Sequence, residues 1–413
     1  MRRSILILSV VILCFLNNPG YAATEIKIGQ LLPLSGHPSA PIGKEIFDGT
    51  QVAIKHINEE GGIKSLGGAT LKLVTLDTHG EAQNGMTLTE RLINVEKVPL
   101  IMGAYNSAVT FPSTVVAEKY KIPWIVDLSA FSKIIERGFK YVFRPVQCSS
   151  PGMTRPVIDF TKWIGEKTGK PAKTIANVYE NTAWGQDLAK AFLPQVSEAG
   201  LKLVLDEPYP AGSTNLMPIA LKIKGANADI VSLASYVSDA ILLTQLIAKL
   251  KIDSIAVIGH TAGFIDPSYI PSTGVSETNY VYATDSWGGY DACIRTPWGK
   301  KVWNDIKQLT GKEPRSASVS GYVVARIAAE AMERAKSADP EAIRNALSKL
   351  NIQKGELVTL MGFPFEFDEK GQNPHVLYSM EQIYGGKYHV VWPLHLVTDF
   401  KPIWPIPKWA ERK

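Results

Sequence analysis

The chain reads as an α/β protein made of two lobes, each a parallel sheet with helices on both faces. Three observations predict it. Short apolar runs alternate with stretches of helical periodicity, the alternation restarts midway, and 413 residues suit about two domains of ordinary size. The first lobe begins with a strand over Glu25 to Leu32. Ile46, Thr50, Ala53, Ile54 and Ile57 then mark one face of a helix that stops at Gly61-Gly62. A strand from Leu71 to Leu76, a helix from Thr87 to Val95 and a strand from Pro99 to Gly103 follow. The helix Ser107 to Tyr120 and the strand Trp124 to Asp127 complete the series.

After Arg144-Pro145 the rhythm restarts, with a strand from Thr174 to Tyr179, a helix from Trp184 to Ala199 and a strand from Leu201 to Asp206. Next come a helix near Leu216 to Ile223, the strand Asp229 to Ala234, a helix through Leu250 and the strand Ser254 to Ile258. Two Rossmann-like lobes are the natural reading. The tail departs from it. Lys300 to Thr310 and Val319 to Ala335 are helical, whereas Phe363 to Phe367, Val376 to Ile383 and His389 to Trp392 read as strands. A chain that crosses between lobes more than once accounts for this. The expected division is 24–143 with 283–357 in one lobe and 144–282 with 358–413 in the other.

Composition narrows the function. The net charge of +5 is modest, and Arg2 and Arg3 supply two of those charges, so nucleic acid is not the expected partner. Three cysteines exclude a disulfide scaffold and a cysteine-based zinc module. Arg2-Arg3, the apolar run Ile5 to Leu16 and the polar exit Asn17-Asn18-Pro19 have the form of a secretory signal over residues 1–22. Gly20-Tyr21-Ala22 places small residues where a signal peptidase reads, so cleavage is expected after Ala22, into the periplasm. Bulky Ile12 and Leu13 before Cys14 argue against lipidation.

The chain lacks a G-x-x-x-x-G-K-[ST] loop, a G-x-G-x-x-G turn, an H-E-x-x-H pair and a G-x-S-x-G elbow. Its seven histidines are scattered without metal-ligand spacing, so no metal, cofactor or catalytic residue is expected. Glu59-Glu60 at a helix end reads as solvated. Cys148 and Cys293 both fall at expected lobe crossings, and an oxidising compartment allows them to pair, although spacing does not establish contact. An exported two-lobe protein without catalytic machinery is a binder rather than an enzyme.

Four stretches carry a resemblance: Gly29-Gln-Leu-Leu-Pro-Leu-Ser-Gly36 with Asn58-Glu-Glu-Gly-Gly-Ile63; Leu100-Ile-Met-Gly-Ala-Tyr-Asn-Ser107; Tyr179-Glu-Asn-Thr-Ala-Trp-Gly185; and Phe365-Glu-Phe-Asp-Glu-Lys-Gly-Gln372. From Ile28 onward the chain resembles periplasmic solute-binding proteins of the leucine/isoleucine/valine type, which serve ABC importers. The resemblance implies a type I periplasmic binding fold with three crossings, a ligand trapped by hinge closure, a monomeric state and permease subunits as partners. A sensory receptor of the same fold is an alternative, and an exported hydrolase the least favoured one.

In that family a serine hydroxyl and backbone N–H groups hold the ligand carboxylate, and the matching position here is Ser107, with Tyr105 beside it. Helix N-termini favour anions on physical grounds as well, while a serine there is also a good helix cap. Ser129 and Ala130 fit the next family contact, and Phe131 stands near a threonine position. Asp127 beside a carboxylate grip is repulsive unless it points away or pairs with a cation. Trp184 and Tyr236 match aromatic positions of the second lobe, with Trp287 a weaker candidate. Members that bind α-amino acids carry a glutamate after the strand that ends here at Ile258, where this chain has Gly259-His-Thr-Ala-Gly263 and Thr261 is nearest. An amino acid would then need another acid, such as Asp127, Asp266 or Asp285. The preferred ligand is therefore an aromatic or other organic acid without an ammonium group.

Overall fold

A computed structural model describes residues 24–287, 294–397 and 399–412. The expected signal segment, Cys14 and Cys293 lie outside them, and with Cys293 the question of its pairing with Cys148. Among the described residues no helix is long and apolar enough to cross a membrane.

The first lobe is built from β1 (Glu25–Leu32), α1 (Ala40–Glu59), β2 (Thr70–Asp77), α2 (Ala82–Asn94), β3 (Ile101–Gly103), α3 (Ser107–Tyr120), β4 (Trp124–Val126) and β5 (Val142–Phe143). Its five strands are all parallel, in the order β2-β1-β3-β4-β5. β1, β3 and β4 are buried almost throughout, as strands covered on both faces must be.

The second lobe contains α4 (Ser150–Thr168), β6 (Thr174–Glu180), α5 (Ala183–Glu198), β7 (Lys202–Tyr209), α6 (Met217–Ala226), β8 (Ile230–Ala234), α7 (Val237–Lys249) and β9 (Ala256–His260). Two short helices, α8 (Tyr269–Thr273) and α9 (Val275–Thr278), lead into β10 (Tyr282–Asp285). The chain then returns to the first lobe with α10 (Pro297–Thr310), α11 (Ser316–Ala335), α12 (Pro340–Ser348), β11 (Asn351–Ile352), α13 (Glu356–Met361) and β12 (Phe365–Glu366), before β13 (Ser379–Tyr384) and β14 (Lys387–Trp392). The second sheet runs β14-β13-β10-β9-β8-β6-β7. Five of its strands are parallel, but β13 and β14 are antiparallel additions, a departure from the all-parallel expectation. The cause is local. Only Gly385 and Gly386 separate the two strands, both at positive φ (59° and 73°), the geometry of a two-residue hairpin turn.

Three crossings join the lobes, after β5, after β10 and after β12. Two are laced together. Arg144 N–H donates to the Gly371 carbonyl at 2.8 Å, Asn373 N–H to the Arg144 carbonyl at 3.0 Å, and Arg144 Nε to Gln372 Oε1 at 2.7 Å. The expected lobe boundaries need correction here. β10 is hydrogen-bonded into the second sheet, so the crossing comes after Asp285 rather than before 283. Phe363 and Phe365 pack in the first-lobe core, so the return comes later than 358.

That core lies largely between α1 and α11. Ile54 and Ile57 share one buried cluster with Val319, Val323 and Ile327, and with Trp287 and Trp303. Gly49 makes the approach close, since a Cβ at this position would sit 1.7 Å from the Ser318 carbonyl oxygen.

Candidate ligand-binding cleft

In each sheet the strand order reverses beside its first strand, between β1 and β3 in the first lobe and between β6 and β8 in the second. Open α/β sheets bind ligands in the crevice beyond the strand ends at such switch points. Here the two crevices face each other. Ile42 follows β1 and Tyr105 follows β3, while Trp184 follows β6 and Tyr236 follows β8. Together with Ser107, Leu128, Gln147, Met153, Thr261, Ala262, Ile265 and Ala317 they line a cleft whose cavity volume is about 30 Å³.

The lobes are closed on this space. An apolar cluster that includes Leu32, Ile42, Tyr105, Trp184, Leu188 and Tyr236 runs unbroken from one lobe to the other. Tyr236 lies at its centre. Its ring is 5.4 Å from Trp184, 6.3 Å from Tyr105 and 5.4 Å from His37, and its hydroxyl accepts from Asn106 Nδ2 at 3.4 Å. Burial raises the Tyr236 phenol above its ordinary pKa, with the nearby Glu180 charge adding to it, so the hydroxyl stays neutral. At the rim Asp187 Oδ2, on α5, accepts from Ser132 N–H (2.9 Å) and Oγ (2.8 Å) across the cleft, and from Ser150 Oγ (2.6 Å) on its own side.

At the base of the first lobe Ser107 opens α3, where the Val109 and Thr110 N–H groups bond the Asn106 carbonyl at 3.0 and 2.9 Å and the N–H groups of Ser107 and Ala108 precede the helical ladder. The Ser107 hydroxyl accepts from Phe131 N–H at 3.2 Å, which ties the helix end to the loop after β4. Asp127 is buried in that loop. Its Oδ1 accepts from Tyr105 N–H (2.9 Å) and Leu128 N–H (2.7 Å), while Oδ2 has no partner. Burial raises its pKa to about 6, against the lowering effect of those backbone bonds. Asp127 thus acts as a brace for the Tyr105 turn, where φ is 61°.

Of the seven residues expected at the site, Tyr105, Ser107, Trp184, Tyr236 and Thr261 line the cleft. Ser129 and Ala130 stand behind it. The Ser129 hydroxyl donates to the Tyr105 carbonyl at 2.8 Å and shares a bond with Thr110, and Ala130 packs in the inter-lobe cluster. The two further aromatic candidates lie elsewhere. Phe131 packs against Phe111, with ring centroids 5.1 Å apart, and Trp287 is fully buried with Nε1 on the Leu360 carbonyl at 2.9 Å. The three candidate acids also turn away from the lining. Asp127 braces the turn, Asp285 pairs with Arg315 at 3.0 Å, and Asp266 accepts from Ser268 N–H at 2.7 Å. Thr261 keeps its place through a left-handed backbone (φ 42°) and an N–H bond to Thr284 Oγ1 at 3.0 Å.

Sequence reasoning missed Ile42, Leu128, Gln147, Met153, Ala262, Ile265 and Ala317. Ile42 and Leu128 follow strand ends and were within reach of the switch-point rule. Gln147 lies in a crossing, and Met153 and Ala317 on helices that follow crossings, so only the tertiary path brings them in. Among the described residues no group of three or more His, Cys, Asp or Glu side chains is placed to hold a metal ion.

The sequence profile of a family described as periplasmic binding protein matches residues 25–387. The chain is 30% identical over 398 residues to the Leu/Ile/Val-binding protein homolog 7 of Brucella suis biovar 1, covering 95% of this chain and 97% of the relative. Among solved structures it is similar to the branched-chain amino acid transporter substrate-binding protein LivJ of Streptococcus pneumoniae, in complex with isoleucine, with a TM-score of 0.77 at 22% identity over 90% of this chain and all of that one. It is also similar to a solute-binding protein of an R. palustris ABC transporter in complex with benzoate, with a TM-score of 0.73 at 19% identity over 89% of this chain and 95% of that one.

Proposed function

The chain belongs to the periplasmic binding protein family, and from that premise we propose that it captures a small organic acid in the cleft and delivers it to the permease subunits of an ABC importer. The family consists of substrate-binding proteins rather than enzymes. One observation supports the choice of ligand: none of the described cleft-lining residues is charged. A carboxylate does not need a cation here, because the α3 N-terminus and the Ser107 hydroxyl offer N–H and O–H donors and a favourable dipole. An ammonium group, by contrast, would be desolvated without a carboxylate partner, at a cost of several kcal/mol. Trp184, Tyr236 and Tyr105 form walls suited to an aromatic ring.

In this reading residues 1–22 direct export and are removed after Ala22, and the mature protein works as a monomer. N-terminal sequencing of the secreted protein tests the cleavage. A calorimetric screen of benzoate-like acids, aliphatic acids and amino acids tests the ligand. Tight binding of an aromatic acid with weak binding of leucine is the expected result, and tight leucine binding with no aromatic acid bound overturns it. The amino-acid reading draws support from the isoleucine held by the S. pneumoniae relative, and the same screen decides between them.

A further inference from the structure

Two buried carboxylates at the seam between the lobes play no part in the cleft. Glu45 lies on α1, one turn beyond the cleft-lining Ile42, is 7% exposed, and has no hydrogen bond to either carboxylate oxygen. Asp266 follows the cleft-lining Ile265 on the other lobe and is 1% exposed. Its Oδ1 accepts from the Ser268 amide and hydroxyl, and its Oδ2 has no partner. Unpaired buried carboxylates of this kind are costly when ionised.

The surrounding charges do not neutralise them. Arg315 is committed elsewhere, with Nη2 on Asp285 and Glu381 and Nε on the Ile265 carbonyl at 3.3 Å. Lys312 and Lys44 are exposed, and Asp48 and Glu313 add further negative charge in the groove beside Glu45. Burial and then the charge of Asp266 push the Glu45 carboxyl well above the usual range, outweighing Lys312 and Arg315. Burial raises Asp266 too, against its Ser268 bonds and Lys312.

We propose that a proton is a second ligand of the closed form, held at the Glu45–Asp266 seam while the lobes are shut and released to solvent when they part. The inference rests on the reading of the cleft as one that closes around its ligand. Parting the lobes hydrates both carboxylates and lets each ionise near its ordinary pKa of about 4. Closing removes that water and puts Glu45 in one groove with Ser268, the residue that holds Asp266 Oδ1, so the shut form binds the proton that the open form lacks. The sign follows. Above the open-form value, closure takes up a proton, and it becomes harder as pH rises through the closed-form value. Each unit separating the two values is worth about tenfold in the closing equilibrium at high pH.

Small-angle scattering of the ligand-free protein from pH 5 to 8.5 tests the seam without any ligand. The expected result is a radius of gyration that grows with pH in the wild type and stays constant in Glu45→Gln, with Asp266→Asn as a second neutral variant. Identical profiles in wild type and both variants overturn the proposal. Calorimetry with benzoate and L-isoleucine, in buffers of different ionisation enthalpy, should show proton uptake on binding that Glu45→Gln diminishes. Binding with equal uptake in the two proteins also overturns it. If neither probe binds while the radius still responds to pH through Glu45, the ligand assignment fails and the proton site stands.

Discussion

Replacing Asp127 by asparagine should stabilise the protein at neutral pH and do little at acid pH. Asp127 is 1% exposed, its Oδ2 lacks a partner, and its pKa is raised from 3.8 to about 6. The folded state therefore binds more protons than the unfolded state between those values, so stability falls as pH rises through that window and the penalty is complete above it. At about 1.4 kcal/mol per unit, the ionised side chain costs the fold about 3 kcal/mol at pH 7.5. Asparagine keeps an oxygen for the Tyr105 and Leu128 N–H groups and removes the charge. It also weakens those two bonds by making them neutral, so the net gain should be about 1–3 kcal/mol. With an unfolding entropy of about 2 cal/mol/K per residue, that is a rise in Tm of about 1–4 °C. Scanning calorimetry of both proteins from pH 4 to 8 reads it directly. Curves that converge near pH 4 and separate above pH 6 are expected. A variant less stable than wild type by the same amount at every pH would refute the reasoning, because the backbone bonds would then outweigh burial. The same substitution should tighten binding of a carboxylate ligand at pH 7.5, since an ionised Asp127 lies beside the Ser107 anion site.

Other consequences can be measured separately. Asp187→Ala removes two charge-assisted bonds across the cleft, so ligand release should accelerate about 10- to 100-fold in stopped-flow with little change in association, whereas Ser150→Ala, which loses a bond within one lobe, should have a smaller effect. Trp184→Ala should weaken binding of an aromatic acid at least about tenfold by calorimetry, and an aliphatic acid of equal charge by less. Gly49→Ala forces a Cβ to within 1.7 Å of the Ser318 carbonyl and should cost more than about 3 kcal/mol in urea denaturation, while Gly225→Ala on α6, with nothing within 4 Å, should be neutral or slightly stabilising.

What could be read from the sequence followed physical causes. The helix from Ser107 to Tyr120 was legible because it lies between two apolar strands, the first ending in Gly103, and in the structure Lys121 closes it in the left-handed region. α4 was not, because Pro151, Gly152 and Pro156 crowd its first two turns and mask the periodicity, although a proline in the first turn suits a helix start. The tail hairpin was visible as two strands, yet its direction depended on the Gly385-Gly386 turn between them. At the site, Tyr105, Ser107, Trp184, Tyr236 and Thr261 beyond strand ends were found, since the chain must turn there, while Ile42, Leu128 and Ala262, also beyond strands, were missed. Side chains whose direction depends on packing were not. Phe131 and Trp287 are aromatic and close to the motif in sequence, but each faces a lobe core. The acids near the motif likewise serve the backbone or Arg315 instead of the ligand.

The seating of α11 against α1 bears on how the protein reaches this structure. Thr50 on α1 bonds Ile46 and the Gly321 carbonyl, and His56 is wedged between Tyr322 and Asp305. Gly321, Tyr322 and Asp305 lie more than 240 residues downstream, after the whole parallel sheet of the second lobe. The first lobe therefore cannot finish assembling until α11 has been made. Its early strands and α1 must wait with an apolar face uncovered until α11 has emerged. Closing so long a loop before any contact rewards it makes the last step of first-lobe assembly slow.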